Sequence, residues 1–323
     1  MEDIDMNDKR KLVLVGTGFV GMSMAYSFLN TGGIDELVLI DVNHEKAIGE
    51  AMDLQHGLPY ARGKMDIRAG GYEECKDASI VVITAGVAQK EGETRLELTA
   101  RNAKIMKNVV EQVCASGFDG IFVIASNPVD SMTYLAQKVS GFPKARVIGS
   151  GTILDTARLR YLMSEYLNVS SSNVHAYMMG EHGDSSFVPW TNTSIGAKNL
   201  LAYLDEKEKD LVDLHNIYMQ VQQAAYEIIN RKKSTYYGIG LSLNRLVHAI
   251  LDDEDVILTV SAYQDGEYGE EGLYIGVPAI INRQGIRETI VLDLNEVDRG
   301  KFKHSCDTLK KVNTEIVDPL LAL

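Results

Sequence analysis

The feature that most constrains the fold is an apolar run near the start of the chain that ends in a glycine-rich turn. Lys11–Val15 reads KLVLV, Gly16–Gly21 reads GTGFVG, and a stretch rich in Met, Ala and Leu follows. A second apolar run, Leu37–Ile40, ends in Asp41, 20 residues after Gly21. A G-x-G-x-x-G turn alone is weak evidence, but here the strand before it, the helix after it and the later acid are all present. The pattern predicts a dinucleotide-binding βαβ unit.

Each part of this unit has a physical role. Gly16 permits the tight turn, Gly18 lets the main chain approach a pyrophosphate, and Gly21 lets the helix pack closely on the strand. The free N–H groups and positive dipole end of the helix favour phosphates. Asp41 can accept the hydroxyls of the adenosine ribose and would repel a 2′-phosphate, so we expect NAD rather than NADP as the cofactor.

Two further runs, Ser79–Ile83 and Gly120–Ile124, are continuous and β-branched, as in central strands of a parallel sheet. Small and polar residues follow them, at 84–86 and 126–128, where a doubly wound sheet binds its ligand. Arg146–Gly149 is the predicted last strand of this half. The predicted fold class is therefore α/β: a Rossmann-type doubly wound parallel sheet (residues 1–149), followed by a mixed α+β catalytic domain (residues 150–323).

The second half contains patterns of both kinds. Helices are predicted from about Glu206 to Asn230 and from Ile239 to Leu251. Short strands are predicted on both sides of a turn at His182, at Val174–Met178 and Phe187–Trp190. Three alternating runs predict a half-exposed antiparallel sheet: Ile257–Val260, Leu273–Gly276 and Thr289–Leu292.

Composition limits the possible partners. The chain has 323 residues, enough for about two domains, and a net charge of −13. That charge argues against nucleic acids and anionic membranes as partners, and no apolar run approaches the ~18 residues of a transmembrane helix. Cys75, Cys114 and Cys306 lack metal-ligand spacing, so we predict no metal site and expect free thiols in a reducing cytoplasm.

Three residues of the second half could carry chemistry. Asp155 and Arg158 are spaced i, i+3 on a predicted helix and share one face. His182 lies in Gly180–Asp184, GEHGD, where glycines let the backbone come close to a ligand. Such a histidine could move a proton while the arginine holds an anion. On these residues alone, a surface ion pair and a loop histidine are the simpler interpretation.

The order of the motifs along the chain decides between these interpretations. Together they resemble the lactate/malate dehydrogenase family over nearly the whole length. The matching motifs are Gly16–Gly21 with Asp41, the loop from Gly86 to Arg95, Ser126–Asn127–Pro128, Gly149–Thr152, Asp155–Arg158, Gly180–Asp184 and Ser234–Gly238.

The resemblance implies the NADH-dependent reduction of pyruvate to L-lactate, the last step of lactate fermentation from glycolysis. His182 then corresponds to the proton donor, with Asp155 fixing its tautomer, and Arg158 clamps the substrate carboxylate. Arg95, on a lid over the site, polarises the carbonyl. Other residues match family positions that contact the substrate or NAD. Those that contact substrate are Asn127 and Thr235, and those that contact NAD are Val20, Lys46, Tyr72, Gly86, Val87, Asn127 and Ser150.

Gln89 indicates the substrate within the family. Malate dehydrogenases usually carry an arginine there, which pairs with the second carboxylate of oxaloacetate. A neutral amide leaves that carboxylate without a partner, which is costly for a buried charge. Gln89 therefore favours pyruvate. The neighbouring Glu91 replaces a proline of many relatives, which predicts a more mobile lid.

Arg160 and His175 match positions that bind fructose 1,6-bisphosphate at a subunit interface in allosteric bacterial members. The resemblance thus implies a homotetramer with this bisphosphate as effector, although an arginine and a histidine paired with nearby acids is a simpler alternative.

Three alternatives to this function remain open. One is a malate or branched 2-hydroxy acid dehydrogenase, which a substrate panel separates. A second is a non-catalytic protein that retains the fold, which predicts the loss of at least one catalytic residue, although all are present. A third is a sugar-modifying enzyme of the short-chain type, which uses a Tyr-x-x-x-Lys pair in a mid-chain helix.

Overall fold

The computed structural model describes residues 10–87, 92 and 94–322. The strands are β1 (Lys11–Val15), β2 (Glu36–Ile40), β3 (Asp66–Ala69), β4 (Ile80–Ile83), β5 (Ile121–Ile124), β6 (Val147–Gly149), β7 (Val174–His175), β8 (Ser194–Ile195), β9 (Lys198–Asn199), β10 (Val256–Asp265), β11 (Glu271–Asn282) and β12 (Gly285–Thr289). The helices are α1 (Phe19–Thr31), α2 (His44–Gly57), α3 (Arg95–Ala115), α4 (Val129–Ser140), α5 (Ile153–Leu167), α6 (Leu200–Glu206), α7 (Val212–Lys232), α8 (Tyr237–Leu251), α9 (Glu296–Val312) and α10 (Asp318–Leu321).

The first six strands form the parallel part of the main sheet. Their order is β3-β2-β1-β4-β5-β6, and each neighbouring pair is parallel. This is the Rossmann order, and it confirms the predicted fold class. Alternate residues of β1 point to opposite faces: Leu12 and Leu14 join one buried cluster, while Val13 and Val15 join another. Because helices cover both faces, β4 and β5 are apolar at every position, and β1 and β2 are apolar after their first residues, Lys11 and Glu36.

The predicted antiparallel pairing in the second half is confirmed, but the prediction that this sheet is half-exposed was wrong. Strands β10, β11 and β12 extend the main sheet to nine strands among the described residues, and Ser261 of β10 pairs with Gly149 of β6. Every residue of β11 from Leu273 to Asn282 is buried. Helix α8 covers one face, where Leu246 shares a cluster with Val277, and α4 covers the other.

Three other predicted elements differ in their bounds from what was expected. The helix expected from residue 206 is instead α6 and α7, separated by a turn in which Glu208 has a left-handed φ of 54°. The strand expected at Phe187–Trp190 is reduced to one bridge between Phe187 and Met179. Pro189 lacks the N–H that a longer ladder needs, and the strand expected over Val174–Met178 is only β7.

The topology places the predicted site at one edge of the sheet. The carboxyl ends of β1, β2, β4, β5 and β6 lie side by side, and Ser150, just after β6, donates its N–H to Ile124 O of β5 at 2.8 Å. No helix among the described residues has both the length and the apolar character needed to cross a bilayer.

Candidate active site

The glycine turn after β1 forms a cradle at the N-terminus of α1. Gly16 has a φ of +104°, and a Cβ there would lie 2.7 Å from the backbone N of Ala85, so glycine is required. A Cβ on Gly18 would meet no atom within 4 Å. Helix α1 begins here with neither a side-chain cap nor an acid in its first turn. Its free N–H groups therefore face open space, which fits a pyrophosphate. Val20 lies within the first turn of the same helix.

Gly21 is where α1 meets the sheet. A Cβ on Gly21 would overlap the carbonyl oxygen of Gly16 and would lie 2.8 Å from Oγ1 of Thr84 and 3.1 Å from Leu14. Thr84 donates its hydroxyl to that same carbonyl at 2.8 Å. The helix can thus approach β1 and β4 only because residue 21 has no side chain.

Asp41 is held at the end of β2 by three hydrogen bonds. Its Oδ2 accepts the N–H of Thr17 at 2.8 Å and the hydroxyl of Thr17 at 2.9 Å, and its Oδ1 accepts the N–H of Asn43 at 2.9 Å. Burial would raise the pKa of Asp41, but these hydrogen bonds and the charge of Lys46 keep it below the ordinary value. Lys46 also donates to Thr17 O at 2.6 Å. The carboxylate is thus ionised and keeps lone pairs for two ribose hydroxyls.

Tyr72 lies beside this carboxylate. Burial raises the pKa of its hydroxyl, and the charges of Cys75 and Asp41 raise it further. The phenol is therefore neutral at physiological pH and can only donate or accept a hydrogen bond.

The loops after β4 and β5 are joined by Asn102, a residue that the sequence analysis missed. Its Oδ1 accepts the N–H of Val87 at 2.9 Å, and its Nδ2 donates to Asn127 O at 3.0 Å. Gly86 lies beside the same side chain. Asn102 is buried on the apolar face of α3, four residues before Met106. A polar residue within an apolar stripe is the signal that could have identified it.

Asp155, Arg158 and His182 form one hydrogen-bonded group. Asp155 and Arg158 lie in the first turns of α5, and Arg158 Nη1 donates to Asp155 Oδ1 at 2.9 Å. Asp155 Oδ2 lies 2.7 Å from His182 Nδ1. The side chains of Asp155 and Arg158 are 12% and 14% exposed, whereas that of His182 is 31% exposed. The carboxylate is therefore enclosed, while the imidazole remains open to a ligand.

The electrostatics of this group favour a charged pair. Burial would lower the pKa of His182, but the charge and hydrogen bond of Asp155, with a further contribution from Asp130, raise it to about 9. Burial would raise the pKa of Asp155, yet His182 and Arg158 hold it below its ordinary value. Near neutral pH the pair is thus imidazolium and carboxylate, with Nε2 able to donate a proton.

The turn that carries His182 is anchored on both sides. Gly180, with a φ of +99°, exchanges two backbone hydrogen bonds with Gly276 of β11 at 2.9 and 3.0 Å. Glu181 donates its N–H to Oγ of Ser305 at 3.2 Å, and His182 donates its N–H to Oδ2 of Asp130 at 2.8 Å. The backbone under the imidazole is therefore fixed from α9, β11 and α4.

The remaining predicted site residues lie near the carboxyl edge of the sheet or outside the residues that the structure describes. Thr235 is half-buried in the link between α7 and α8, and Gly238, three residues on, packs against Leu154 of α5. Arg95 begins α3, but its side chain is outside the described residues, as are Gln89, Glu91 and the polar segment 1–9. In the described part of the chain, no group of three or more His, Cys, Asp and Glu residues could hold a metal ion.

Comparison with known proteins agrees with this geometry. Residues 10–149 match the model of the lactate/malate dehydrogenase NAD-binding domain, and residues 152–319 match the model of the alpha/beta C-terminal domain of the same enzymes. The chain belongs to the lactate/malate dehydrogenase family.

Similar members of the lactate/malate dehydrogenase family carry one name. L-lactate dehydrogenase 2 of Bacillus anthracis is 53% identical over 95% of this chain and 98% of its own length. The L-lactate dehydrogenase of Geobacillus sp. (strain WCH70) is also 53% identical, over 95% of this chain and 97% of its own.

Solved structures of the family have the same fold. A lactate dehydrogenase from a Medee basin deep-sea metagenome library has a TM-score of 0.94 at 52% identity, covering 95% of this chain and 99% of that one. The minor L-lactate dehydrogenase of Enterococcus mundtii, in its ligand-bound form, has a TM-score of 0.94 at 50% identity, covering 95% and 98%.

Proposed function

We propose that this protein is an NAD-dependent L-lactate dehydrogenase that interconverts pyruvate and L-lactate. The observation that carries the proposal is the hydrogen-bonded group of Asp155, Arg158 and His182, which lies at the same carboxyl edge of the sheet as the dinucleotide cradle of Gly16–Gly21. Residues 1–149 would bind the cofactor, and residues 150–323 would supply the catalytic side chains.

The proton and the charge of the reaction are handled by this chain's own residues. NADH supplies the hydride that the carbonyl carbon of pyruvate accepts. His182 gives its Nε2 proton to the carbonyl oxygen, and in lactate oxidation it takes that proton back. Asp155 holds the Nδ1–H of the ring through the 2.7 Å contact, which fixes the tautomer and stabilises the imidazolium.

Arg158 would bind the substrate carboxylate. One guanidinium nitrogen, Nη1, is committed to Asp155, so the fork is held in a fixed orientation and keeps donors for an anion. A planar guanidinium offers two parallel hydrogen bonds to a carboxylate, which a lysine cannot do. Arg95 would polarise the carbonyl, and Asn127, Ser150 and Thr235 would position substrate and nicotinamide. Gln89 would favour pyruvate over oxaloacetate.

Fructose 1,6-bisphosphate binding at Arg160 and His175 forms the regulatory part of the proposal. Arg160 Nε donates to Ala176 O at 3.1 Å, adjacent to the exposed His175, and its guanidinium lies 5.3 Å from the ring centroid of Tyr177. Burial lowers the pKa of Arg160, but an arginine stays charged at neutral pH. The guanidinium of Arg160 is thus bound to the backbone next to His175, which supports a phosphate site formed by these two residues.

A homotetramer is the proposed assembly. Helices α1 and α8 pack together and leave large apolar side chains exposed, among them Phe19, Tyr26, Tyr237 and Leu241. Apolar patches of this kind often mark subunit contacts. We further propose a role in lactate fermentation from glycolysis in the cytoplasm, which is consistent with the three free cysteines.

One assay tests the proposal. Oxidation of NADH is followed with pyruvate and with oxaloacetate, each with and without fructose 1,6-bisphosphate, and the molecular mass in solution is measured in parallel. A higher kcat/KM for pyruvate is expected. Preference for oxaloacetate would identify a malate dehydrogenase instead. If fructose 1,6-bisphosphate changed neither the kinetics nor the molecular mass, only the regulatory part of the proposal would be rejected.

A further inference from the structure

A second buried carboxylate lies under the catalytic turn. Asp130, in the first turn of α4, is 2% exposed. Its Oδ2 accepts the backbone N–H of His182 at 2.8 Å, and its Oδ1 accepts the hydroxyl of Ser261 at 2.6 Å. The two oxygens thus hold two different elements, the catalytic turn and β10.

The position of Asp130 connects three parts of the site. Helix α4 starts directly after Asn127 and Pro128 at the tip of β5. Ser261 pairs with Gly149 at the end of β6, one residue before Ser150. A single carboxylate therefore links the backbone of His182 to the strand tips that face cofactor and substrate.

We infer that Asp130 is a positioning residue for proton transfer by His182, which it serves by fixing the histidine's backbone and by placing a negative charge near the ring. The inference rests on the proposed function, because it takes His182 to be the group that moves the proton. It assigns Asp130 no contact with substrate or cofactor.

The electrostatic effect of Asp130 on the His182 ring depends on the charge of the carboxylate. Burial raises the pKa of Asp130 to about 6, while the hydrogen bonds from Ser261 and His182 oppose the rise. The carboxylate is thus mainly ionised at pH 7 and adds to Asp155 in stabilising the imidazolium. Among the described residues, the other charged groups that face this pair are Glu181, in the same turn, and Arg158, on α5, which disfavours the imidazolium.

The variant Asp130→Asn separates charge from geometry. Its amide oxygen can accept the N–H of His182 and its NH₂ can donate to Ser261, whose hydroxyl rotates. The charge is lost while both hydrogen bonds remain. We expect the alkaline midpoint of the pyruvate kcat/KM profile to fall by about 1 pH unit, with the dissociation constant of NADH unchanged within about twofold.

Ser305→Ala is the matched control. It removes the hydroxyl that accepts the N–H of Glu181, next to His182, but it changes no charge. A merely structural role for Asp130 predicts the same response in both variants, namely a lower kcat at an unmoved midpoint. We expect the midpoint to move in Asp130→Asn only.

A direct titration makes the result independent of turnover. In protein labelled with ¹³C-histidine, the His182 signal is assigned by its absence in His182→Gln, and its midpoint is measured by NMR in wild type and Asp130→Asn. A lower midpoint in the variant supports the inference, and equal midpoints overturn it. Failure of the wild type to reduce pyruvate would reject the proposed function instead, and the NMR comparison would still test the contact.

Discussion

Asp155 accepts a hydrogen bond from Arg158 on one oxygen, at 2.9 Å, while its other oxygen lies 2.7 Å from Nδ1 of His182. One enclosed carboxylate therefore orients both the proposed proton donor, His182, and the proposed anion-binding group, Arg158. Since a catalytic group must be held in a narrow range of positions, this shared partner couples binding to proton transfer.

The first prediction concerns this shared carboxylate. In Asp155→Asn the amide can still accept from Arg158, but it carries no charge and no longer stabilises the imidazolium or fixes its tautomer, so kcat/KM for pyruvate should fall by ~10²–10⁴. The pH midpoint of His182 should also fall. Glu165→Gln, an exposed acid on the same helix, is the control and should keep wild-type kinetics. Steady-state kinetics with pyruvate measure both, and a loss below tenfold in Asp155→Asn would contradict the assigned role.

The second prediction is the pH dependence of the two directions. The pKa of His182 is raised to about 9, so the ring is protonated below that pH and neutral above it. Pyruvate reduction consumes the proton, so its kcat/KM should be flat at neutral pH and fall tenfold per unit above about pH 9. Lactate oxidation needs the neutral ring, so its kcat/KM should rise tenfold per unit up to about pH 9 and be flat above it. Parallel profiles in the two directions would show that another group titrates.

How far the site could be predicted differs between its parts. Asp155 and His182 could be selected from the sequence because the chemistry of each residue type, within a matching order of motifs, restricts its role. Their contact spans 27 residues of the chain and required the packing of the 180–183 turn against α5. Local sequence contains no information on such a distance.

Other features depend on tertiary structure alone. Asn102 and Asp130 accept hydrogen bonds from backbone N–H groups of distant segments. No local sequence pattern could therefore predict their partners. Strands β1, β2, β4 and β5 were predictable because burial on both faces makes them continuous apolar runs, interrupted only by the charged first residues of β1 and β2. Strand β11 was predicted too short and too exposed, because its cover comes from α4 and α8, far away in the sequence.

The third prediction concerns substrate choice and rests on sequence, since residue 89 lies outside the described residues. Gln89→Arg supplies a partner for the second carboxylate of oxaloacetate, so the ratio of kcat/KM for oxaloacetate to that for pyruvate should rise by ~10²-fold or more. Gln89→Glu is the matched control, because its charge repels that carboxylate and should lower the ratio. An equal ratio in both variants would show that residue 89 does not determine the choice between pyruvate and oxaloacetate.

The fourth prediction concerns the cofactor. Asp41→Ser removes the charge that repels a 2′-phosphate, so the preference for NADH over NADPH, measured as kcat/KM, should fall by ~10–10²-fold. Thr17 loses its acceptor in this variant, so activity with NADH should fall as well. Asp53→Asn, an exposed acid on α2, should leave the preference unchanged. A wild-type enzyme that prefers NADPH would contradict the role of Asp41.

The last prediction compares two glycines, both inside helices, whose surroundings differ. A Cβ at Gly21 would overlap Gly16 O and press on Thr84, so Gly21→Ala must push α1 away from the sheet. We expect it to lower the free energy of unfolding by about 1–3 kcal/mol and to weaken NADH binding, because the cradle lies at that contact.

Gly49, inside α2, has no atom within 4 Å of its would-be Cβ. Gly49→Ala should therefore raise the free energy of unfolding by about 0.5–1 kcal/mol, the difference in helix propensity between the two residues. Chemical denaturation and NADH fluorescence titration on both variants measure the two effects. Equal changes in stability would mean that helix propensity decides both sites, and that the close approach of α1 to β1 is not what requires glycine at residue 21.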